Sequence, residues 1–428
     1  MSLGLNLIAK SSVPLPSLEI FAHELAHWLR ETYSHLFPKV RIGEVDESRV
    51  VFCQLHPSTE EFELVLIDST SLVTSANTTT VGPGYHIFLT ALLKDCATKF
   101  GLTWQEDAES NNGYGDDTGF FFSGDEPRLR EEMTWWLKAL ARTFFDGTFG
   151  PEDTDIALCM PLNPQFNAGQ AAITPMGPRT RDWLLKTAED GKHGSDFFAW
   201  WDSGLGAGYH LGRALAHMWS NVRWRKPMSE SEKDVLADVA NSLSSAYRLD
   251  PTLQYPWSEW LEILDLLETG EEERTWLIQR AIEPGQIGYR RGSVRTSLNG
   301  GWTIKVPGAF SDFDSDEDGA ISAIDPPREI WFTAYQSQGK PSTALWIERK
   351  REIRAGKPEF LLELDSRIAT ATVSEKLSEA GKPYFILHSS VVCPGKRCVC
   401  TILFHEGGDK DWALETWKSI QPPSDEPN

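Results

Sequence analysis

Apolar residues recur at helical spacing across residues 17–38, where Ile20, Phe21, Leu25, Trp28, Leu29 and Leu36 form one stripe. The pattern predicts an amphipathic helix capped by Ser17, with those six side chains toward a core. A short apolar run, 3–9, precedes it. After it the period changes to two. Segments 40–45, 49–55 and 61–67 are rich in β-branched and aromatic residues and are separated by Asp46-Glu47-Ser48 and His56-Pro57-Ser58. They read as hairpin strands of an antiparallel sheet. A helix is expected over 87–100. A short strand, 119–122, is expected at the end of a polar, acidic stretch. Pro127 then opens a helix that ends at Gly147, with Met133, Trp136, Leu137, Leu140, Phe144 and Phe145 as its apolar face.

The pattern changes in the middle of the chain. After a Pro- and Gly-rich connection, 155–178, with a strand near 156–160, helices dominate: 180–189, 195–201, 208–224, 229–247, 257–268 and 271–280. Ser229 and Glu232 make a capping box. His210, Arg213 and His217 share a helix face and either line a pocket or sit on a core flank, the second being the plainer reading. The tryptophans from Trp183 to Trp276 offer a partner-binding surface or, more in keeping with large aromatics, fill the core between helices. Beyond 284–292 strands return, at 302–306, 320–324, 329–335, 361–364, 367–373, 384–392 and 398–404, and a helix closes the chain at 410–420. The expected class is α+β and multidomain. An α+β domain with an antiparallel sheet takes 1–150, a helical Trp-rich domain 151–288, and a third domain 289–428.

The third domain resembles the Mog1/PsbP-like family of α/β/α sandwiches. The resemblance rests on the strand Gly301-Trp302-Thr303-Ile304-Lys305-Val306-Pro307, the strand Ile330-Trp331-Phe332 and the closing Trp412-Ala413-Leu414-Glu415-Thr416-Trp417-Lys418 helix. It implies a binding module, since members of that fold group are mostly non-catalytic and bind proteins.

Composition narrows the classes further. The chain has 428 residues, 40% of them hydrophobic, with 17 Trp and 21 Phe, so large cores can form. The formal charge of −21 argues against nucleic acid, whose phosphates require concentrated Lys and Arg, and would draw a basic partner. No run has the length of a membrane span or a secretory leader, so no membrane insertion is expected. Six Cys in a chain of this size do not make a disulfide framework, and a reducing cytoplasm fits.

Three patterns invite metal chemistry. His23-Glu24-Leu25-Ala26-His27 resembles the zincin metallopeptidase signature. One helical turn separates the two imidazoles, so both can meet one zinc, and Glu24 stands where a general base would take a proton from metal-bound water. A third ligand would come from Glu44, His86, Glu131 or Glu132, but no second motif marks any of them. The plainer reading puts both histidines on the flank of a packed helix. Asp314-Ser315-Asp316-Glu317-Asp318-Gly319 with Asp325 follows an EF-hand loop, with Asp314, Asp316 and Asp318 as calcium ligands. Strand-like flanks and Pro326-Pro327 favour an acidic hairpin turn instead. Cys393 and Cys398 flank Pro394-Gly395-Lys396-Arg397, with Cys400 and His405 close behind. A hairpin is expected there, with Cys393 facing Cys398 as buried thiols rather than zinc ligands. Val81-Gly82-Pro83-Gly84 before a helix is either an anion cradle or a tight turn, and the turn is preferred.

The expected function is that of a non-catalytic cytosolic binding protein, of immunity-protein or effector-chaperone type, with a basic protein partner and no cofactor. The alternative is a zinc metallopeptidase using His23, His27 and Glu24.

Overall fold

A computed structural model of the chain describes residues 2–33, 39–45, 48–105, 115–145, 156–157, 164–165, 172–281, 285–310, 313–316, 319–336, 343–364, 366–378 and 381–423. The chain divides into two compact units. The first comprises Met1–Pro161, Asn167–Val222 and Ser229–Gly288; the second comprises Leu162–Phe166, Arg223–Met228 and Tyr289–Asn428. The last division falls where the strand pattern resumes. Apart from 162–166 and 223–228, the segments 1–150 and 151–288 lie together in the first unit.

The apolar run at the N-terminus is a strand, β1 (Gly4–Ser11), followed by α1 (Leu18–Thr32). The hairpin strands are β2 (Lys39–Val45), β3 (Ser48–Gln54) and β4 (Phe62–Asp68), and a further strand, β5 (Ser71–Asn77), joins them. Then come α2 (Pro83–Phe100), β6 (Leu102–Trp104) and β7 (Gly115–Asp116). The sheet order is β2-β3-β4-β5-β1-β6, with β7 also on β1, and every pair is antiparallel. Alternation along the strands sends Leu5, Leu7, Val51, Cys53, Phe62 and Leu64 to one face. There they pack with Phe21, Leu25 and Leu29 of α1 and Leu89, Leu93 and Cys96 of α2. Ile20, expected in this core, is 53% exposed: it lies at the edge of the α1 stripe, and Ala22 and Ala26 complete the buried side instead. Leu36 lies outside the described residues.

Next come α3 (Phe120–Ser123) and α4 (Glu126–Phe145). The strand expected at 119–122 is thus a single helical turn, set between Gly119 and Gly124, both left-handed. Phe120 and Phe121 are buried from it on successive positions, which a half-buried strand could not do. Small strands follow: β8 (Ile156–Ala157), β9 (Pro164–Gln165), β10 (Ala172–Thr174) and β11 (Gly177–Arg179). The rest of the strand expected at 158–160, the side chains of Phe144 and Phe145, and Gly147 lie outside the described residues.

The helices of the first unit continue with α5 (Arg181–Glu189), α6 (Ala207–Ser220), α7 (Glu230–Leu249), α8 (Trp257–Leu267) and α9 (Glu271–Leu277). A helix expected at 195–201 is instead a 3-10 segment, Gly191–Phe197, that runs into extended chain. The reason is tertiary. Trp200 donates its backbone N–H to Val81 (2.9 Å) and accepts from Gly84 (3.0 Å), so the segment pairs with the start of α2. A Cβ on Gly84 would sit 2.3 Å from the Trp200 ring, and one on Gly212 would sit 1.9 Å from the Ala199 carbonyl oxygen. Only glycine lets the chain pass that closely. Trp200 and Tyr209 thereby complete the core under the N-terminal sheet, and this shared core joins 1–150 to 151–288.

The second unit holds β12 (Ser293–Ser297), β13 (Thr303–Pro307), β14 (Asp314–Ser315), β15 (Ile321–Asp325), β16 (Arg328–Gln336), α10 (Thr343–Ala355), β17 (Phe360–Glu363), β18 (Ile368–Leu377), β19 (Pro383–Cys393), β20 (Lys396–Phe404) and α11 (Lys410–Lys418). Seven strands form an antiparallel sheet in the order β14-β15-β16-β20-β19-β18-β17, while β9, β12 and β13 form a small one. Ile330, Phe332, Cys398, Cys400, Ile402 and Leu387 are buried on one face of the large sheet. Three elements, β12, β14 and α10, have no counterpart in the sequence pattern. Helix α10 groups its apolar residues at its start, Ala344 to Ile347, and is charged from Glu348 to Glu352, so it shows no apolar stripe to read.

Candidate functional site

The zincin-like residues fall on the outer side of α1. His23, Glu24 and His27 are exposed, and His27 pairs through Nε2 with Glu31 at 3.2 Å, one turn on. The helix turns Phe21, Ala22, Leu25, Ala26 and Leu29 inward, which fixes His23 and His27 on the opposite side. Among the described residues no group of three His, Cys, Asp or Glu is placed to hold a metal ion. The third-ligand candidates are elsewhere. His86 is buried in the first turn of α2, with Nδ1 2.9 Å from the Thr78 hydroxyl and Nε2 3.2 Å from Asp116, so both ring nitrogens are engaged. Glu131 and Glu132 lie on α4, and Glu132 pairs with Arg128. Glu44 is exposed on β2.

The acidic hairpin joins β14 to β15, with Asp314 opposite Ser322 and Ser315 opposite Ile321. Asp316 accepts from the Ala320 backbone N–H at 2.8 Å and closes the turn, where Gly319 is left-handed. Asp318 lies outside the described residues. Asp325, which would be the last ligand of a calcium loop, is taken by the Arg225 guanidinium.

The thiols need a correction. Cys393 is opposite Lys396, and Cys398 is opposite Val391, so the two cysteines do not face each other. Pro394 and Gly395, the latter at φ 75°, form the two-residue turn by themselves. The hairpin is therefore shorter than the Cys-to-Cys spacing implies. All three thiols, Cys393, Cys398 and Cys400, are buried and none is in a disulfide. The Gly-Pro-Gly segment is a turn whose Gly84 N–H is already given to Trp200, so that donor is not offered to an anion.

A different cluster gathers in the first unit. Trp257 and Trp260 are three residues apart on α8, so their rings share a face, at 6.0 Å and 12°. Tyr247 comes from the last turn of α7 and Trp276 from α9; their rings are stacked at 5.1 Å and 21°. Tyr255 closes the group from the connecting loop, where its hydroxyl donates to the Asp250 carbonyl at 2.6 Å. That loop is fixed by the Asp250 carboxylate, which accepts from both the backbone and the hydroxyl of Thr252. Trp257 stands nearly perpendicular to Trp276 (78°) and to Tyr247 (83°). The result is a box of aromatic walls above the buried Trp260.

The box is occupied. The guanidinium of Arg280 lies 4.9 Å from the Trp276 ring centre, 5.0 Å from Trp257 and 5.4 Å from Tyr247. One of its arms donates to the Tyr247 hydroxyl at 2.8 Å. The negative faces of the rings attract a cation, most strongly when it is a planar guanidinium shielded from water. Arg280 is exposed, whereas the rings behind it are half-buried or buried. In the sequence the three tryptophans were visible as a possible surface. Neither their arrangement nor Arg280 was, because the walls come from three helices and one loop.

Both units carry further exposed aromatics. In the second, Trp331, Tyr335 and Ile324 are exposed on the same face of the sheet. Among the described residues no helix is long and apolar enough to cross a membrane.

No family model and no curated protein matches the chain. Among solved structures, a protein from Bacteroides thetaiotaomicron is similar over 32% of this chain at 13% identity, with a TM-score of 0.25; the chain covers half of that protein. The solution structure of cyanobacterial PsbP (CyanoP) from Synechocystis sp. PCC 6803 is similar over 33% of this chain and 99% of its own, at 12% identity and a TM-score of 0.17. At such scores neither likeness carries an assignment. What stands is a mixed helix-and-strand chain with several antiparallel sheets.

Proposed function

We propose that the protein is a non-catalytic, cytosolic binding protein for a basic protein partner, of immunity-protein or effector-chaperone type, and that its aromatic box receives an arginine of that partner. The observation that carries this reading is the guanidinium of Arg280 within 5.4 Å of three ring centres. A pocket that holds its own chain's arginine has the shape and electrostatics for another. Charge supports it. Nearly all of the acidic excess belongs to the first unit, which carries the box, while acids and bases almost balance in the second. Glu271 and Glu272 are exposed on α9 beside Trp276 and add attraction at the mouth. The second unit enters as an additional binding module, as the Mog1/PsbP-like resemblance implies, with Trp331 and Tyr335 as its exposed anchors.

The test is a titration of the full chain with an octa-arginine peptide at low salt, followed by tryptophan fluorescence. Arg280→Ala empties the box and should tighten binding roughly fivefold, whereas Trp276→Ala should weaken it by a similar factor, about 1 kcal/mol. Equal affinity in wild type, Arg280→Ala and Trp276→Ala would overturn the reading.

A further inference from the structure

A second site, independent of the aromatic box, lies in the first unit where α6 and α7 meet the turn between β3 and β4. A cavity of about 460 Å³ opens there. Its volume is in the range of pockets that hold metabolite-sized ligands. The floor is polar and buried. Arg213 of α6 donates to Asp238 of α7 and, at 3.1 Å, to the Leu55 carbonyl. His217 places Nε2 2.9 Å from the same carboxylate. These groups satisfy one another and make a rigid base.

His56 is different. It is buried in the wall, against Tyr85, Trp200 and Tyr209. Its Nδ1 accepts from the Ser58 backbone N–H at 3.2 Å, which places the ring proton on Nε2. That Nε2 is buried and has no hydrogen-bond partner among the described residues. A buried N–H donor without an acceptor is costly, by about 1–3 kcal/mol, but this one has no accessible surface and is turned into the packed rings rather than offered to the cavity.

The mouth has the complementary chemistry. Arg30, at the end of α1, and Lys39, at the start of β2, both line the cavity and are exposed. Neither has a carboxylate partner among the described residues, in a chain with a large excess of acids. On α7, Ser231, Asp234 and Asn241 also line the cavity at helical spacing, and among the described residues Asp234 has no ion pair either. Cations without a carboxylate partner, together with a carboxylate and neutral polar groups on α7, define a ligand with an acid group and a polar body.

We infer that this cavity binds a small organic anion, its carboxylate or phosphate held by Arg30 and Lys39 at the mouth. The side of α7, with Asp234, takes a donor of the same ligand.

The experiment is isothermal titration of the full chain at low salt with citrate, inorganic phosphate and AMP as probes. Saturable binding of at least one probe is expected, with a Kd of about 0.1–1 mM, weakened roughly tenfold in the Arg30→Ala/Lys39→Ala double variant. Both of those residues are exposed, so the fold should tolerate their loss. A response to citrate alone identifies a carboxylic acid; a response to AMP above that to inorganic phosphate identifies a phosphorylated molecule. No binding of any probe at about 10 mM, or binding undiminished in the double variant, overturns the inference.

Discussion

Arg213 and Asp238 are joined by a donor from Nη2 at 2.6 Å and a forked donor from Nε at 3.1 Å, and both side chains are buried. Burial pushes the Asp238 carboxyl upward, but hydrogen bonds from His217 and Arg213 outweigh it and hold that carboxyl well below its usual range. The pair ties α6 to α7, and the remaining arm of Arg213 ties both to the backbone of the N-terminal sheet at Leu55. Removing one partner strands a buried charge. Asp238→Ala should therefore cost about 3–5 kcal/mol of unfolding free energy in urea, well above the ordinary substitution. A loss under about 1 kcal/mol would show that water relieves the arginine and that the pair is not a structural tie.

His56 makes stability depend on pH. Burial, reinforced by Arg213, holds its imidazole well below the ordinary value of 6.5, so the folded ring stays neutral. In the unfolded chain the ring takes a proton as pH falls below about 6.5. The unfolded state then binds more protons, so the contribution of His56 is complete above about pH 6.5 and declines as the solution becomes more acidic. It does so by at most about 1.4 kcal/mol per pH unit, until the folded ring also titrates. His217, also lowered by burial, acts in the same direction. Melting temperature should fall from pH 7.5 to 5.5, and His56→Phe should flatten that slope. Parallel curves for the two proteins would refute the assignment.

The α1 histidines should be dispensable for the fold. His23 and His27 are exposed, and the contact of His27 with Glu31 is a surface pair, worth little. His23→Ala and His27→Ala should each change stability by less than about 0.5 kcal/mol and leave the metal content of the purified protein unchanged. Zinc lost in either variant would restore the metal reading of this motif.

Glycine at position 84 is required by packing. A methyl group there would meet the Trp200 ring and the Asp202 carbonyl oxygen at 2.3 and 2.5 Å. Gly84→Ala should destabilise by about 1–3 kcal/mol, the usual cost of overfilling a packed core. It should also shift the fluorescence of the buried tryptophan. An unchanged denaturation midpoint would mean that the 198–202 segment moves freely.

The buried thiols should be inert while the protein is folded. Cys53, Cys96, Cys393, Cys398 and Cys400 are buried. Burial raises the pKa of Cys96 and Cys400 to about 12. The thiolate is the reactive form, so alkylation at pH 8 should reach these residues only in denaturant. Rapid labelling of Cys398 in the native protein would contradict the packing of β20.

The sequence by itself determined most of the elements, because periodicity is a local property. The α1 stripe, the β2–β4 hairpins, the cap at Ser229 and the acidic turn before β15 can be read from spacing and turn chemistry. So can the mixed helix-and-strand class. Tertiary structure decided what no window of the chain contains. A helix is expected over 195–201, but the 3-10 segment stops at Phe197 and 198–201 run on without helix, where Trp200 exchanges backbone hydrogen bonds with Val81 and Gly84. Helix α10, with its apolar residues bunched at one end, gave no periodic signal. The candidate sites were hidden for the same reason. The conspicuous motif, His23 to His27, was local and proved to lie on an exposed helix face. The aromatic box and the cavity are assembled from residues far apart in the chain, Tyr247 with Arg280 and Arg30 with Asp234. Only the packing of the helices brings their side chains together.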